Sequence, residues 1–171
     1  LNTEILDDFQ LPGPNHFIPK KASIPKRELK EDVLPELVLE DKGIRLYFGQ
    51  DHEFLRPKGV INYKIRFPEN KMNLDHRVKM SFYVDCVGES LNELAYPAQG
   101  AGLRYRIDDG YEGIYLSVGG YSESALVLYK EVVNHMVNFQ INEEQFEGLK
   151  NNIVRDYQNF PLSDAWRIGR E

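Results

Sequence analysis

The sequence predicts an α+β fold, a two-layer sandwich in which helices cover one face of an antiparallel or mixed sheet. Short segments with alternating apolar residues predict strands, and segments with apolar residues at intervals of three and four predict helices. These segments come in pairs, in the order β-β-α-α-β-β-α-α, which is typical of helices packed on one face of a sheet. A chain of 171 residues, 42% of them hydrophobic, is long enough to form a core of its own.

Residues 1–40 are predicted to form a proline-rich linker or arm, and residues 41–171 to form the globular part. The arm holds five of the nine prolines, namely Pro12, Pro14, Pro19, Pro25 and Pro35. Because proline fixes φ and lacks an N–H donor, such a segment favours extended backbone over helix or sheet. We expect Phe17 and Ile18 to dock on an apolar surface.

Two strands and two helices are predicted in the first half of the globular part. The strands are Ile44–Phe48 and Gly59–Phe67. Asn73 or Asp75 can cap the helix that follows and ends near Leu91. Its expected buried positions are Val78, Phe82, Cys86 (or Tyr83 and Val87) and Leu91. A second helix over Leu91–Ala101 contains Pro97, which would kink or restart it, and ends at Gly100 and Gly102.

A hairpin and two more helices are predicted in the second half. Its strands are Leu103–Asp108 and Tyr111–Val118, with a tight turn at Asp109-Gly110. Ser122 or Ser124 is expected to cap the third helix, and Asn142 the fourth, with Gln145 completing a capping box. The apolar positions of the third helix are Leu126, Tyr129, Val132, Val133 and Met136. Those of the fourth are Phe146, Leu149, Ile153, Tyr157 and Phe160.

Charge and composition exclude several classes of function. The net charge of −6 argues against a nucleic-acid partner, and no apolar run is long enough to predict a membrane span. The single cysteine, Cys86, excludes an internal disulfide. The basic run Lys20–Lys30 favours a solvated linker, with a contact to an acidic neighbouring domain as the alternative.

No residue of the chain is predicted to be catalytic, to bind a cofactor or to bind a metal. Cys86 lies on an apolar helical stripe, which favours a buried core thiol over a nucleophile. Gly119-Gly120 and Gly100-x-Gly102 lack the strand–loop–helix context of a phosphate loop and favour a strand exit and a helix C-cap. The acidic cluster, Glu143, Glu144 and Glu147, offsets the positive end of a helix dipole.

Two stretches resemble the insulinase/pitrilysin family of zinc metallopeptidases. Residues Gly88–Ser122 read GESLNELAYPAQGAGLRYRIDDGYEGIYLSVGGYS, and Leu11–Pro19 read LPGPNHFIP. They are similar to strings of the third of four homologous domains in this family and of the linker that precedes it. The resemblance covers most of the chain. It implies an insulinase-type middle domain that is not the catalytic one and that is expected to continue beyond Glu171.

The resemblance also implies where the chemistry of the parent protein lies. Family members cut peptides with the motif H-x-x-E-H, whose histidines bind zinc and whose glutamate activates water. No two of the histidines His16, His52, His76 and His135 have that spacing. The nearest match begins at His76, with Lys79 in place of the base and Met80 in place of the second ligand. We therefore expect zinc in the catalytic domain of the parent protein, none in this chain, and no activity from this chain alone.

The function implied by the resemblance is to shape an enclosed chamber and hold peptide substrate in it. The alternative is an assembly or scaffold module of an inactive homologue. The expected partners are the other domains of the parent protease and a peptide. A homodimer is also expected, because an incomplete domain leaves sheet edges and apolar helix faces uncovered. The implied location is the periplasm or cytoplasm of a bacterium.

Overall fold

The structure, a computed structural model, describes residues 13–24, 34–69, 72–162, 164 and 166. In chain order its elements are β1 (Glu36–Asp41), β2 (Ile44–Phe48), β3 (Lys58–Arg66), α1 (Leu74–Ser90), α2 (Asn92–Gly100), β4 (Arg104–Gly110), β5 (Gly113–Tyr121), α3 (Ser122–Asn138) and α4 (Glu143–Asn159), with a 3₁₀ turn at Phe160–Leu162. The predicted α+β class is confirmed. Strand β1 was not predicted, and it crosses the proposed boundary at residue 40, which itself stays a prediction.

The main sheet has three antiparallel strands in the order β3-β5-β4. The central strand pairs Leu116 with Tyr63 of β3 on one side and with Ile107 of β4 on the other. Helix α3 packs over β3 and β5, and α1 packs over β4 and β5, both on the same face. The predicted two-layer arrangement, with helices on one face, is therefore present in this sheet.

The core lies between this sheet and helices α1 and α3. Its largest fully buried side chains are Phe17, Leu91, Leu116, Leu128, Val87, Val118 and Val132. Two predicted core positions are wrong, because Val78 is 43% exposed and Leu126 is 49% exposed. Met80 and Leu128 are buried instead. Each helix carries more apolar residues than its contact with the sheet can cover, so packing decides which stripe faces inward.

Part of the proline-rich arm packs on the same chain. Phe17 is fully buried in the core, as expected, whereas Ile18 is 59% exposed and does not dock on the described part of this chain. The side-chain amide of Asn15 donates to the Pro97 carbonyl at 2.7 Å, and its oxygen accepts from the Phe17 N–H at 3.0 Å. Asn15 thus fixes the turn that directs the Phe17 ring inward.

The turn of the β4–β5 hairpin differs from the prediction. The last pair is Gly110 with Gly113, so Tyr111 and Glu112 form the turn instead of Asp109-Gly110. The predicted turn would place Ile107 opposite Glu112. The observed turn places Ile107 opposite Leu116, which pairs two apolar side chains on the face that the helices cover. Packing of the inner face therefore outweighs the local turn preference of Asp-Gly.

The helix caps follow the sequence at two of three sites. The Asn73 oxygen accepts from the His76 N–H at 3.0 Å, and Asn142 and Gln145 form the predicted capping box. The predicted caps of α3, Ser122 and Ser124, are wrong. Strand β5 passes into α3 without a loop, the N-cap position falls on Tyr121, and the Ser122 N–H donates to the Pro57 carbonyl at 3.0 Å.

Two regions leave apolar side chains exposed. Every residue of β1 and β2 is exposed, including Leu39 and Leu46, which pair across this two-stranded ribbon. Helix α4 has no buried residue, and its predicted stripe is only partly covered. Its Phe146 packs edge-on against Phe82 of α1, with ring centroids 4.9 Å apart.

Candidate functional site

The turn of α1 that most resembles a zinc motif does not have the geometry of one. His76 is exposed, with its Nδ1 3.0 Å from the side-chain oxygen of Asn73. The ammonium of Lys79 forms an ion pair with Asp75 at 2.8 Å. Met80 is 8% exposed and belongs to the core. The position that the motif would need for its second ligand therefore points into the core, away from His76.

The remaining histidines are dispersed. Nε2 of His16 lies 2.9 Å from Glu131 of α3, and His135 lies in the last turn of the same helix. Within the described ranges no group of three His, Cys, Asp or Glu residues is placed to hold a metal ion. These residues do not fit the zinc site of the family.

Cys86 is buried in surroundings that disfavour a reactive thiolate. The thiol is 4% exposed, and burial, with a smaller contribution from the neighbouring Asp85, raises its pKa. The pKa of Asp85 is itself raised, first by partial desolvation of its carboxyl and then by the negative charges of Asp109 and Asp156. Because the thiolate is the reactive form of cysteine, these surroundings disfavour nucleophilic chemistry at Cys86.

The glycine pairs and the acidic cluster singled out in the sequence lie within or next to regular secondary structure. Gly119 and Gly120 lie inside β5 and not at its exit, and Gly102 follows the end of α2. Glu143 and Glu144 occupy the first turn of α4, and Glu147 forms an ion pair with Lys150 at 2.9 Å.

Only the start of the basic run lies within the described residues. There the Lys21 N–H donates to Glu123 at 3.0 Å, while Lys26, Arg27 and Lys30 lie outside. Of the helices that the structure describes, none has the length and apolar character to cross a membrane.

The surface with the clearest capacity to bind is the face of the main sheet opposite the helices, which we call the open face. Strand alternation places on it the side chains of Lys58, Val60, Asn62, Lys64, Arg66, Arg104, Arg106, Asp108, Tyr115, Ser117 and Tyr121. A groove of about 240 Å³ runs along it, between Asn62 and Lys64 of β3 and Arg106 and Asp108 of β4. Tyr115 and Ser117 of β5 form its floor.

Polar contacts organise the groove. The Ser117 hydroxyl donates to the side-chain oxygen of Asn62 at 2.9 Å, which joins β5 to β3. Lys64 lies over the Tyr115 ring, with Nζ 5.1 Å from its centroid, and pairs with Glu112. Arg66 reaches the same carboxylate at 2.8 Å. The hydrogen bond from Lys64 and the charges of Lys64 and Arg66 hold the pKa of Glu112 below its usual value.

The sequence analysis predicted these strands but did not identify a site on them. The signal was present, because basic residues alternate along both β3 and β4. What the sequence lacked was the strand order. Only the placement of β5 between β3 and β4 brings the two basic rows onto one surface.

A model of one protein family matches the whole chain, residues 1–171, and its description is the middle or third domain of peptidase M16. The chain belongs to the M16 peptidase family. The resemblance to the insulinase/pitrilysin metallopeptidases is thereby confirmed, including the assignment to the middle domain. The human insulin-degrading enzyme is 33% identical over 159 residues, which are 93% of this chain and 16% of that enzyme.

Two further comparisons concern a relative from a fission yeast and a solved structure. A Schizosaccharomyces pombe protein, named as a zinc protease, is 27% identical over 167 residues, 97% of this chain and 17% of that protein. The crystal structure of pitrilysin superposes on 88% of this chain with a TM-score of 0.78 and 22% sequence identity. The match covers 16% of the pitrilysin chain. The fold is thus that of M16 peptidases, and the chain spans about one sixth of the length of such relatives.

Proposed function

We propose that this M16 middle-domain chain forms a non-catalytic wall of a chamber that holds peptides, and that the open face is the part of this wall that contacts them. The observation that carries the proposal is the one-sided packing of the main sheet. Helices α1 and α3 cover one face, while the other is polar, grooved and accessible. The zinc and the residues that cleave the peptide belong, in this proposal, to another domain of the parent protein.

The chemistry of the open face supports peptide contact. Tyr115, on the floor of the groove, offers the part of its apolar ring that Lys64 leaves uncovered. Ser117 and Asn62 add hydrogen-bonding groups beside it. These groups suit an extended peptide of varied sequence, because none of them requires one particular side chain. The zinc chemistry, by contrast, has no matching ligand set in the described residues.

Photo-crosslinking tests the contact with peptide. A benzophenone amino acid at Ser117, on the open face, is expected to crosslink to an uncharged 20-residue peptide. The same group at Gln158, on the exposed surface of α4, is the control and is expected to crosslink far less. The purified chain is also expected not to cleave the peptide, with or without added zinc. Equal crosslinking at the two sites, or cleavage that a chelator abolishes, would contradict the proposal.

A second function, assembly, is favoured by the β1–β2 ribbon. A two-stranded ribbon with no covered face is marginally stable in water. This one exposes Leu39 and Leu46 to about half of their maximum. Burial of such side chains against a second copy of the chain would stabilise both copies.

Sedimentation velocity tests assembly of the chain with itself. The wild-type chain is expected to dimerise as its concentration rises, and Leu46→Glu is expected to remain monomeric because it places a charge in the apolar row. The control, Arg45→Gln, makes the same change in net charge on the opposite side of the ribbon, where Arg45 pairs with Glu40 at 2.7 Å, and is expected to preserve the dimer because an exposed ion pair contributes little. A monomeric wild-type chain at all concentrations would exclude this assembly.

A further inference from the structure

We infer that the open face selects peptide segments with acidic side chains at alternating positions, held by Arg104 and Arg106. This inference rests on the proposed function, because it names the class of peptide that the same surface takes. It is carried by three features of the face, which are its charge, the availability of its two arginines and their spacing.

The open face is basic although the chain is acidic. It carries five cations, Lys58, Lys64, Arg66, Arg104 and Arg106. Two carboxylates, Asp108 and Glu112, accompany them, whereas the whole chain has a net charge of −6. Positive charge concentrated on one face attracts an acidic segment by electrostatic complementarity. A nucleic acid is disfavoured as the partner, because the remaining surface is strongly negative and would repel an extended polyanion.

The cations on β3 and those on β4 differ in availability. On β3, Glu112 pairs with both Lys64 and Arg66, and Lys58 lies over the Tyr121 ring, with its Nζ 5.3 Å from the ring centroid. Arg106 pairs with Asp108 at 2.5 Å, yet 77% of its side chain remains exposed. Arg104 is exposed and forms no ion pair with another residue in the described part of the chain. The two β4 arginines therefore have free N–H groups for a ligand carboxylate.

Arg104 lies close to the central strand of the sheet. Its partner in the ladder is Gly119, and its Nε would lie 3.4 Å from a Cβ placed on that glycine. That distance is an ordinary van der Waals contact, so Arg104 lies across the central strand at Gly119 and close to its backbone. Guanidinium groups bind carboxylates through two parallel N–H···O bonds, which suits this flat and open approach.

The spacing of the two arginines predicts the spacing of acidic residues in the peptide. Arg104 and Arg106 are two residues apart on one strand, so their Cα atoms are separated by about 6.6–6.8 Å. An extended peptide repeats its side chains on one face with the same period. Two acidic residues separated by one residue therefore match the two arginines, whereas two acidic residues separated by two do not lie on one face.

Fluorescence anisotropy with three labelled 12-residue peptides tests the inference. One peptide carries four Glu at successive alternating positions, the second replaces each Glu by Gln, and the third carries four Glu at every third position. The alternating Glu peptide is expected to bind the wild-type chain about five- to tenfold more tightly than either of the others, since exposed charge-assisted pairs contribute modestly. Its affinity is expected to fall with added salt, whereas that of the Gln peptide is not.

Charge-matched double variants identify the residues. Arg104→Gln with Arg106→Gln is expected to abolish the preference for the alternating Glu peptide. Lys79→Gln with Lys150→Gln removes the same charge from helices α1 and α4 and is expected to retain it. Circular dichroism checks that each variant is folded. The salt dependence of the affinity of the wild-type chain for the alternating Glu peptide tests the same inference without any substitution.

Three outcomes would overturn the inference: equal affinity for the Glu and Gln peptides, a preference that survives in the arginine double variant, or a 12-nucleotide single strand that binds as tightly as the alternating Glu peptide. The proposed function has a separate test. If the uncharged peptide crosslinks at Ser117 but acidic peptides have no advantage, only the inference on selectivity fails. If the uncharged peptide does not crosslink there, the proposed peptide contact itself fails.

Discussion

Replacing Gly113 by alanine is expected to destabilise the fold by about 3 kcal/mol or more, because backbone strain and a main-chain clash act together. Gly113 begins β5 with φ at +145°, a conformation that side chains with a Cβ rarely adopt. An added Cβ would overlap the carbonyl oxygen of Ile65 and lie 3.0 Å from its carbonyl carbon. Relief would require β3 to move away from β5, which breaks the pairing of the main sheet.

Gly148 provides the matched control for this substitution. It lies within α4, and an added Cβ would meet nothing within 4 Å. Gly148→Ala is expected to raise stability by about 0.5–1 kcal/mol, since alanine favours helix and restricts the unfolded chain. Urea denaturation followed by circular dichroism measures both variants. A Gly113→Ala variant as stable as the wild-type chain would mean that the β3–β5 register is not the one described.

Replacing Phe17 by alanine is expected to destabilise the fold by about 3–5 kcal/mol, because it leaves a large cavity in the core. Phe17 is fully buried although it lies in the proline-rich arm, and every other buried side chain of the core cluster is at Met80 or later in the chain. The expected loss therefore reports how strongly the arm is docked, and not only how well one ring is packed.

The adjacent residue provides the control for Phe17. Ile18 is 59% exposed, and Ile18→Ala is expected to change stability by no more than about 0.5 kcal/mol. Chemical denaturation of both variants gives the comparison. Similar small losses at the two positions would show that the arm is not part of the folded core.

Local signals in the sequence were sufficient for several elements. Asn142 with Gln145 three residues later predicted a capping box, and both hydrogen bonds are present. Asn73 likewise caps α1. Such contacts are made within one turn of helix, so the residues that make them are close in the sequence as well as in space. Strand β2 was predicted for a similar reason, since its alternation is visible within five residues.

Predictions were wrong where the outcome depends on contacts with residues far away in the sequence. The Asp109-Gly110 pair has a strong local preference for a turn, but the turn formed at Tyr111 and Glu112 because Ile107 pairs with Leu116. Val78 and Leu126 fit helical stripes, but the sheet covers Met80 and Leu128 instead. In each case the free energy of burying apolar area against another element exceeds the local preference.

The sequence by itself determined the fold class, the positions of the four helices and the family, because these depend on periodicity, caps and short strings of residues. It also showed that no pair of histidines has the spacing of the zinc motif. Only the tertiary structure decided that Phe17 belongs to the core and that the basic residues of β3 and β4 share one open face. The reason is that strand order and the docking of the arm arise from contacts between segments far apart in the chain, which no local pattern records.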